Sequence, residues 1–260
     1  AIPVFLMPTR NHYGIIGPIP KSEFKWENIR KKILANPFAR ETLERDPEAK
    51  PRVLTITQST YDGILYNVEI IKEMLDGKID TLHFDEAWLP HATFHKFYKG
   101  MHAIGKNRPP CKDSMLFSTQ STHKLLAGLS QASQILVQDS ESRKLDRDVF
   151  NEAFLMHTST SPQYAIIASC DVAAAMMEEP GGTALVEESI AEALDFRRAM
   201  RKVDEEWGAD WWFKVWGPEN LAEEGIGDRD DWMLRSGERW HGFGKLAKGF
   251  NMLDPIKATV

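Results

Sequence analysis

Two short strings in this chain gather the side chains best suited to chemistry. The first is His83-Phe84-Asp85-Glu86-Ala87-Trp88. It closes an apolar, strand-like run from Ile79 to Phe84, so Asp85 falls at the carboxyl end of a strand, where open α/β sheets bind ligands. An acid there can ion-pair with a cationic ligand group, and the small Ala87 leaves room for a flat ring. The second string is Ser118-Thr119-Gln120-Ser121-Thr122-His123-Lys124, a hydroxyl-rich turn that leaves the strand-like run Met115–Ser118. Its hydroxyl and backbone N–H groups suit a phosphate. It ends on a lysine followed by apolar Leu125-Leu126-Ala127, a setting that suits a nucleophilic amine. Taken singly, Asp85 reads equally well as a strand-end cap, and Lys124 as a solvated lysine at a helix start.

The elements around these strings have an α/β pattern, with short apolar runs alternating with helical periodicity. Val53–Thr57 is a strand, and Val68, Ile71 and Leu75 form one face of a helix that Gly77 stops. Ile135–Val137 is a further strand. Beyond Val149 the pattern turns helical, over Phe150–Met156, Asp171–Met177 and a long segment near Leu185–Glu206. Trp211–Trp216 reads as a returning strand. Gln138–Asp148 and Gly217–Asp231 read as surface loops. No internal repeat or low-complexity segment occurs.

Composition narrows the function classes. The 260 residues are 42% hydrophobic, enough for a folded core, and no apolar run reaches membrane-spanning length. A net charge of −6 leaves no footprint for nucleic acid. The basic clusters Arg30-Lys31-Lys32 and Arg197-Arg198 with Arg201-Lys202 sit among acids on helical faces. The two cysteines, Cys111 and Cys170, lack metal-site spacing and fit a reducing, cytoplasmic setting. The chain opens on strand-like Pro3–Met7, closes on Asp254–Val260 as if a strand had just begun, and does not start with Met. These ends predict an internal fragment of a longer protein.

Together the two strings fit one cofactor. Pyridoxal 5′-phosphate needs a lysine for its Schiff base and a carboxylate that keeps the pyridine nitrogen protonated, so that the ring accepts electrons. Ser121-Thr122-His123-Lys124-Leu125-Leu126-Ala127 with Ser130-Gln131-Ala132-Ser133 resembles the cofactor-lysine motif of the bacterial ornithine/lysine/arginine decarboxylases. Further segments resemble that family in order: Pro8-Thr9-Arg10-Asn11 with Tyr13-Gly14-Ile15, Ser59–Gly63, His83–Trp88, Met156-His157 through Ser161-Pro162, Trp240–Phe243 and Leu253–Lys257.

The resemblance implies part of an aspartate aminotransferase-like large domain, a mostly parallel sheet with flanking helices. Residues 1–215 would belong to that cofactor-binding domain, and 216–260 would be a loop and the start of a connection to a further domain. Lys124 would form the Schiff base, Asp85 would pair with the pyridine nitrogen, and Ala87 would lie against the ring face. Trp88 would stand at the cofactor or substrate, Ser121 at the phosphate, and His123 beside the Schiff base for substrate positioning or proton transfer. A hydroxyl near Thr158-Ser159-Thr160 would reach the phosphate of a neighbouring subunit, which implies a homodimer or larger homo-oligomer. This chain has Ser159 where the family pattern expects threonine, and the donor survives the change. The substrate would be lysine, arginine or ornithine, and the product a diamine or polyamine with CO2. The family's main phosphate loop and ring-stacking histidine would lie upstream of this chain, and a C-terminal domain downstream. The 260 residues alone are therefore expected to be inactive.

Three other readings compete. His83, Asp85, His91 and His95 fall close together, with His91 and His95 four apart, so a metal-dependent hydrolase is one alternative. Pro90 and Thr93 weaken a helix there, and no glutamate sits between the histidines as in H-E-x-x-H. Trp211, Trp212 and Trp216 could serve a non-catalytic assembly piece, although such residues are more often core. Transamination would share the cofactor residues but not the ordered motifs.

Overall fold

The computed structural model describes residues 2–106 and 108–260; Ala1 and Asn107 lie outside the described residues. The strands in chain order are β1 (Val53–Thr57), β2 (Ile64–Tyr66), β3 (Thr81–Asp85), β4 (Met115–Gln120), β5 (Gln134–Gln138) and β6 (Asn251–Leu253). The helices are α1 (Trp26–Ala35), α2 (Pro37–Arg45), α3 (Val68–Leu75), α4 (Thr122–Leu125), α5 (Arg147–His157), α6 (Tyr164–Met176) and α7 (Gly181–Trp207). Among the described residues, no helix is long and apolar enough to cross a membrane. The chain forms two compact units, one of Lys50–Gln58 and Leu75–Thr183, the other of Ala1–Ala49, Ser59–Met74 and Ala184–Val260.

The first of these units holds a four-stranded sheet in the order β1-β3-β4-β5. β1, β3 and β4 run parallel, while β5 returns antiparallel to β4. The short, β-branched run at Val53 and the short run at Thr81 form adjacent parallel strands, as a mostly parallel α/β sheet requires. Side chains alternate between the faces of β3. Leu82 and Phe84 are fully buried, and each contributes roughly 1.5–3 kcal/mol by leaving water. Thr81, His83 and Asp85 occupy the half-buried opposite face. Asp76 fixes the start of β4, accepting from the backbone N–H groups of Lys112, Asp113 and Ser114. Burial opposes its charge, but the N–H groups and the Ser114 hydroxyl outweigh that cost and hold the Asp76 carboxyl below the usual range. Gly77 ends the helical turn at φ 71°, a conformation glycine adopts without steric cost.

The second unit is organised around the antiparallel pair β2–β6. Phe24, Tyr66 and Phe250 meet edge to face in its core, with centroids 5.6–6.0 Å apart. Helix α2 begins at Asn36-Pro37: the Asn36 side chain accepts from Phe38 and Ala39 N–H, and Pro37 takes the first helical position.

Several expectations change. Among the described residues Trp211–Trp216 forms no strand: Trp216 N–H donates to Thr259 O at 2.7 Å, but no ladder extends along the segment. Instead Trp211 and Trp212 turn their rings onto Phe213. Pro3–Met7 forms no strand, and Pro3 lacks an N–H for a ladder. Asp254–Val260 is also not a strand; Asp254 accepts from Ile256 N–H in a local turn. Helix α6 starts at Tyr164, well before the Asp171 expected from the apolar spacing.

Candidate active site

The site lies at the carboxyl edge of the parallel strands, within the four-stranded unit. Register sets Thr57 of β1 opposite Asp85 of β3, and Asp85 opposite Thr119 of β4. The chain leaves β3 in a tight turn. Asp85 Oδ1 accepts from Ala87 N–H at 3.2 Å, and Glu86 N–H donates to Thr119 O at 2.8 Å. Trp88 follows, and the Lys124 Nζ stands 4.5 Å from the centroid of its ring. The two chemistry-bearing strings therefore meet, through a cation held over an aromatic face.

The second string turns sharply after β4. Ser121 occupies the cap position of α4 but makes no side-chain capping bond, so its hydroxyl remains uncommitted. The next hydroxyl, Thr122 Oγ1, is buried without a hydrogen-bond partner. His123 Nδ1 lies 2.8 Å from Ala132 O. A carbonyl only accepts, so Nδ1 carries the proton and Nε2 keeps a free lone pair in the neutral ring.

His83 ties the sheet together beneath this edge. Its Nδ1 lies 3.2 Å from Thr55 Oγ1 and its Nε2 3.1 Å from Thr119 Oγ1, so one imidazole bridges β1, β3 and β4. Burial holds the His83 pKa below the usual range, with the nearby Asp85 charge opposing that shift.

Glu86 was not assigned a role by sequence reasoning, and the fold gives it one. Its side chain is fully buried and accepts from Ala103 N–H (2.6 Å), the Ser118 hydroxyl (2.5 Å) and Gln120 Nε2 (3.0 Å). Burial pushes the Glu86 carboxyl up, against the donors of Ser118, Ala103 and Gln120 and the Arg108 charge. The signal was present in the alternation of β4: Ser118 and Gln120 are two apart, hence on one face.

Not every expected residue joins this cluster. Ser159 is exposed beyond the end of α5, and its Oγ accepts from Ser161 N–H at 3.1 Å. The metal set of the competing hydrolase reading is also not assembled. Among the described residues, no group of three or more His, Cys, Asp or Glu side chains could hold a metal ion. His91 and His95 flank a single 3-10 turn, not one α-helix face. His91 is buried against the edge of Tyr98, and His95 accepts from Phe97 N–H. Of the aromatic residues considered for assembly, Trp216 is core, packed edge-on against Trp240 and Phe243, whereas Trp212 is exposed.

Known proteins are similar to this chain along its whole length. Lysine decarboxylase LdcA of Pseudomonas aeruginosa is 51% identical over all of this chain and 34% of its own length. The biodegradative arginine decarboxylase of Escherichia coli K12 is 39% identical over all of this chain and 36% of its own length. The solved structure of lysine decarboxylase A from Pseudomonas aeruginosa superposes with a TM-score of 0.87, covering all of this chain and 34% of that one. The lysine decarboxylase LdcF of Francisella novicida gives 0.83 at 45% identity, covering 97% of this chain and 32% of that one. The chain thus spans about a third of the length of the relatives it matches. The family described as Orn/Lys/Arg decarboxylase, major domain, matches residues 1–260, and this chain belongs to it.

Proposed function

We propose that the protein carrying this chain decarboxylates a basic amino acid to a diamine or polyamine, using pyridoxal 5′-phosphate held on Lys124. The observation that carries the reading is the meeting of Lys124 with Trp88, directly after the turn that Asp85 begins. The donor set fits the cofactor: an amine, a carboxylate at a strand end, and an uncommitted Ser121 hydroxyl beside the buried, unpartnered Thr122 hydroxyl. When bound, the cofactor supplies an electron sink for the pair released as the Cα–carboxylate bond breaks.

The chain's own residues have distinct tasks in this proposal. Lys124 provides the covalent attachment, and the Trp88 face keeps its amine near the ring. Asp85, pinned by Ala87 N–H, would pair with the pyridine nitrogen and keep it protonated. Ala87 would lie against the ring, where a larger side chain would intrude. His123 would offer Nε2 to accept or return a proton at the reacting carbon. Ser121 would donate to the phosphate.

Ser159 serves a second subunit in this proposal. Helices α5 and α6 expose Leu155, Met156, Tyr164, Ile167 and Val172, an apolar surface suited to a homodimer or larger homo-oligomer. Residues 216–260 are proposed to lead toward a further domain. Two free cysteines, Cys111 and Cys170, support a cytoplasmic location.

Lysine is the first substrate to test, because relatives named for it reach 51% and 43% identity, against 39% for an arginine and 30% for an ornithine enzyme. The intact protein should release CO2 from L-lysine, and Lys124→Ala should lower turnover about a thousandfold or more. Amino-group transfer without CO2 release would instead support transamination.

A further inference from the structure

Asp85 and Glu86 are adjacent acids whose side chains go to opposite faces. Asp85 stays on the half-buried face, while Glu86 passes to the buried face and meets Ser118 and Gln120 at the end of β4. Its two oxygens have separate duties. Oε1 takes Ala103 N–H, which anchors the segment beyond Trp88, and Oε2 takes both β4 donors. Gln120 continues the chain, since its Oε1 accepts from Gln134 Nε2 of β5 at 2.7 Å. Gln120 also directly precedes Ser121, Thr122, His123 and Lys124. One carboxylate thus links the turn that carries Asp85 and Trp88 to the turn that carries Lys124.

We propose that Glu86 is a positioning residue that holds the Asp85 turn and the Lys124 turn in one geometry, so that both groups engage the same cofactor. The inference rests on the reading of Lys124 and Asp85 given above. Stability is a poor reason for a carboxylate at this place. Apolar side chains in place of Glu86, Ser118 and Gln120 together could fill the space without the cost of burying a charge. What the carboxylate adds is direction: two acceptor oxygens at fixed angles to three donors on two separate segments. Glutamine cannot reproduce this, because its amide nitrogen must face either Ala103 N–H or the Gln120 amide, and both of those donate.

The test uses the intact protein with three variants, Glu86→Gln, Gln120→Leu and Lys124→Ala, and a Glu86→Gln/Gln120→Leu double variant. Pyridoxal 5′-phosphate is titrated into the apo-protein, and the visible absorption band of the bound cofactor is followed against pH. Glu86→Gln and Gln120→Leu should each weaken cofactor binding about tenfold, the worth of one hydrogen bond to a charged group. Each should also move the pH midpoint of the band. The double variant should be no weaker than the worse single, because both act through one link. Affinities and midpoints within about twofold of the parent, or losses that multiply as independent effects, would overturn the proposal. If Glu86→Gln does not fold, Gln120→Leu decides by the same affinity and midpoint. A Lys124→Ala protein that keeps a borohydride-reducible band removes the underlying reading. Loss of that band in Lys124→Ala, with unchanged Glu86→Gln and Gln120→Leu, removes the Glu86 role alone.

Discussion

Replacing His83 by alanine should loosen the sheet under the site, and should do so in a pH-dependent way. The imidazole makes two hydrogen bonds, to Thr55 and to Thr119, across three strands. Each is worth about 0.5–1.5 kcal/mol net, and partial exposure lets water replace some of what is lost, so the expected cost is about 1–2 kcal/mol. The sign of the pH effect follows from burial, which holds the folded-state pKa below the usual value of 6.5. As pH falls, the unfolded chain protonates first. The contribution of His83 is therefore fully present above about pH 6.5 and is lost as pH falls through the depressed folded value. Native-state hydrogen exchange on the intact protein reads this locally, at the amides of β1, β3 and β4. Parent and His83→Ala should differ most above pH 6.5 and converge on acidification. A difference that grows on acidification, or one smaller than about 0.3 kcal/mol throughout, would refute the reasoning.

Two further positions probe the other unit. The buried Tyr66 hydroxyl accepts from Ile19 N–H, and burial, partly offset by that N–H, pushes its pKa up to about 12. Its contribution is present below the unfolded value near 10 and is lost as pH rises through about 12. Tyr66→Phe should remove that alkaline slope in urea unfolding, and an unchanged slope would contradict it. The buried Arg197 donates to the carbonyls of Trp216, Ala193, Pro255 and Lys257 and lies 5.2 Å from the centre of the Trp232 ring. Arg197→Ala should cost about 3 kcal/mol or more, and Arg197→Lys should recover little, because an ammonium cannot span that fan of carbonyls. A loss under about 1 kcal/mol for either would count against this role.

How much was legible follows from the range of each interaction. β1, β3 and β4 announce themselves as short apolar runs, and Asp85 and Lys124 follow from the turns that end two of them. The direction of β5 was not legible, because an apolar run does not say which way it pairs. The β2–β6 pair was hidden for a different reason. Ile64–Tyr66 and Asn251–Leu253 are three residues each and find one another only across the folded unit. Trp211–Trp216 has a strand's composition but forms no ladder among the described residues. Asp85 and Glu86 look alike in sequence, and only the strand's alternation sends one toward the open face and the other to the buried donors. Ser159 shows the limit most plainly, since its proposed partner lies in another subunit.

Borohydride reduction of the intact protein saturated with pyridoxal 5′-phosphate, followed by peptide mapping, tests the assignment of the site. A pyridoxyl group fixed on Lys124, and on no other lysine, is the predicted result. A folded protein that carries the label elsewhere, or nowhere, would contradict it.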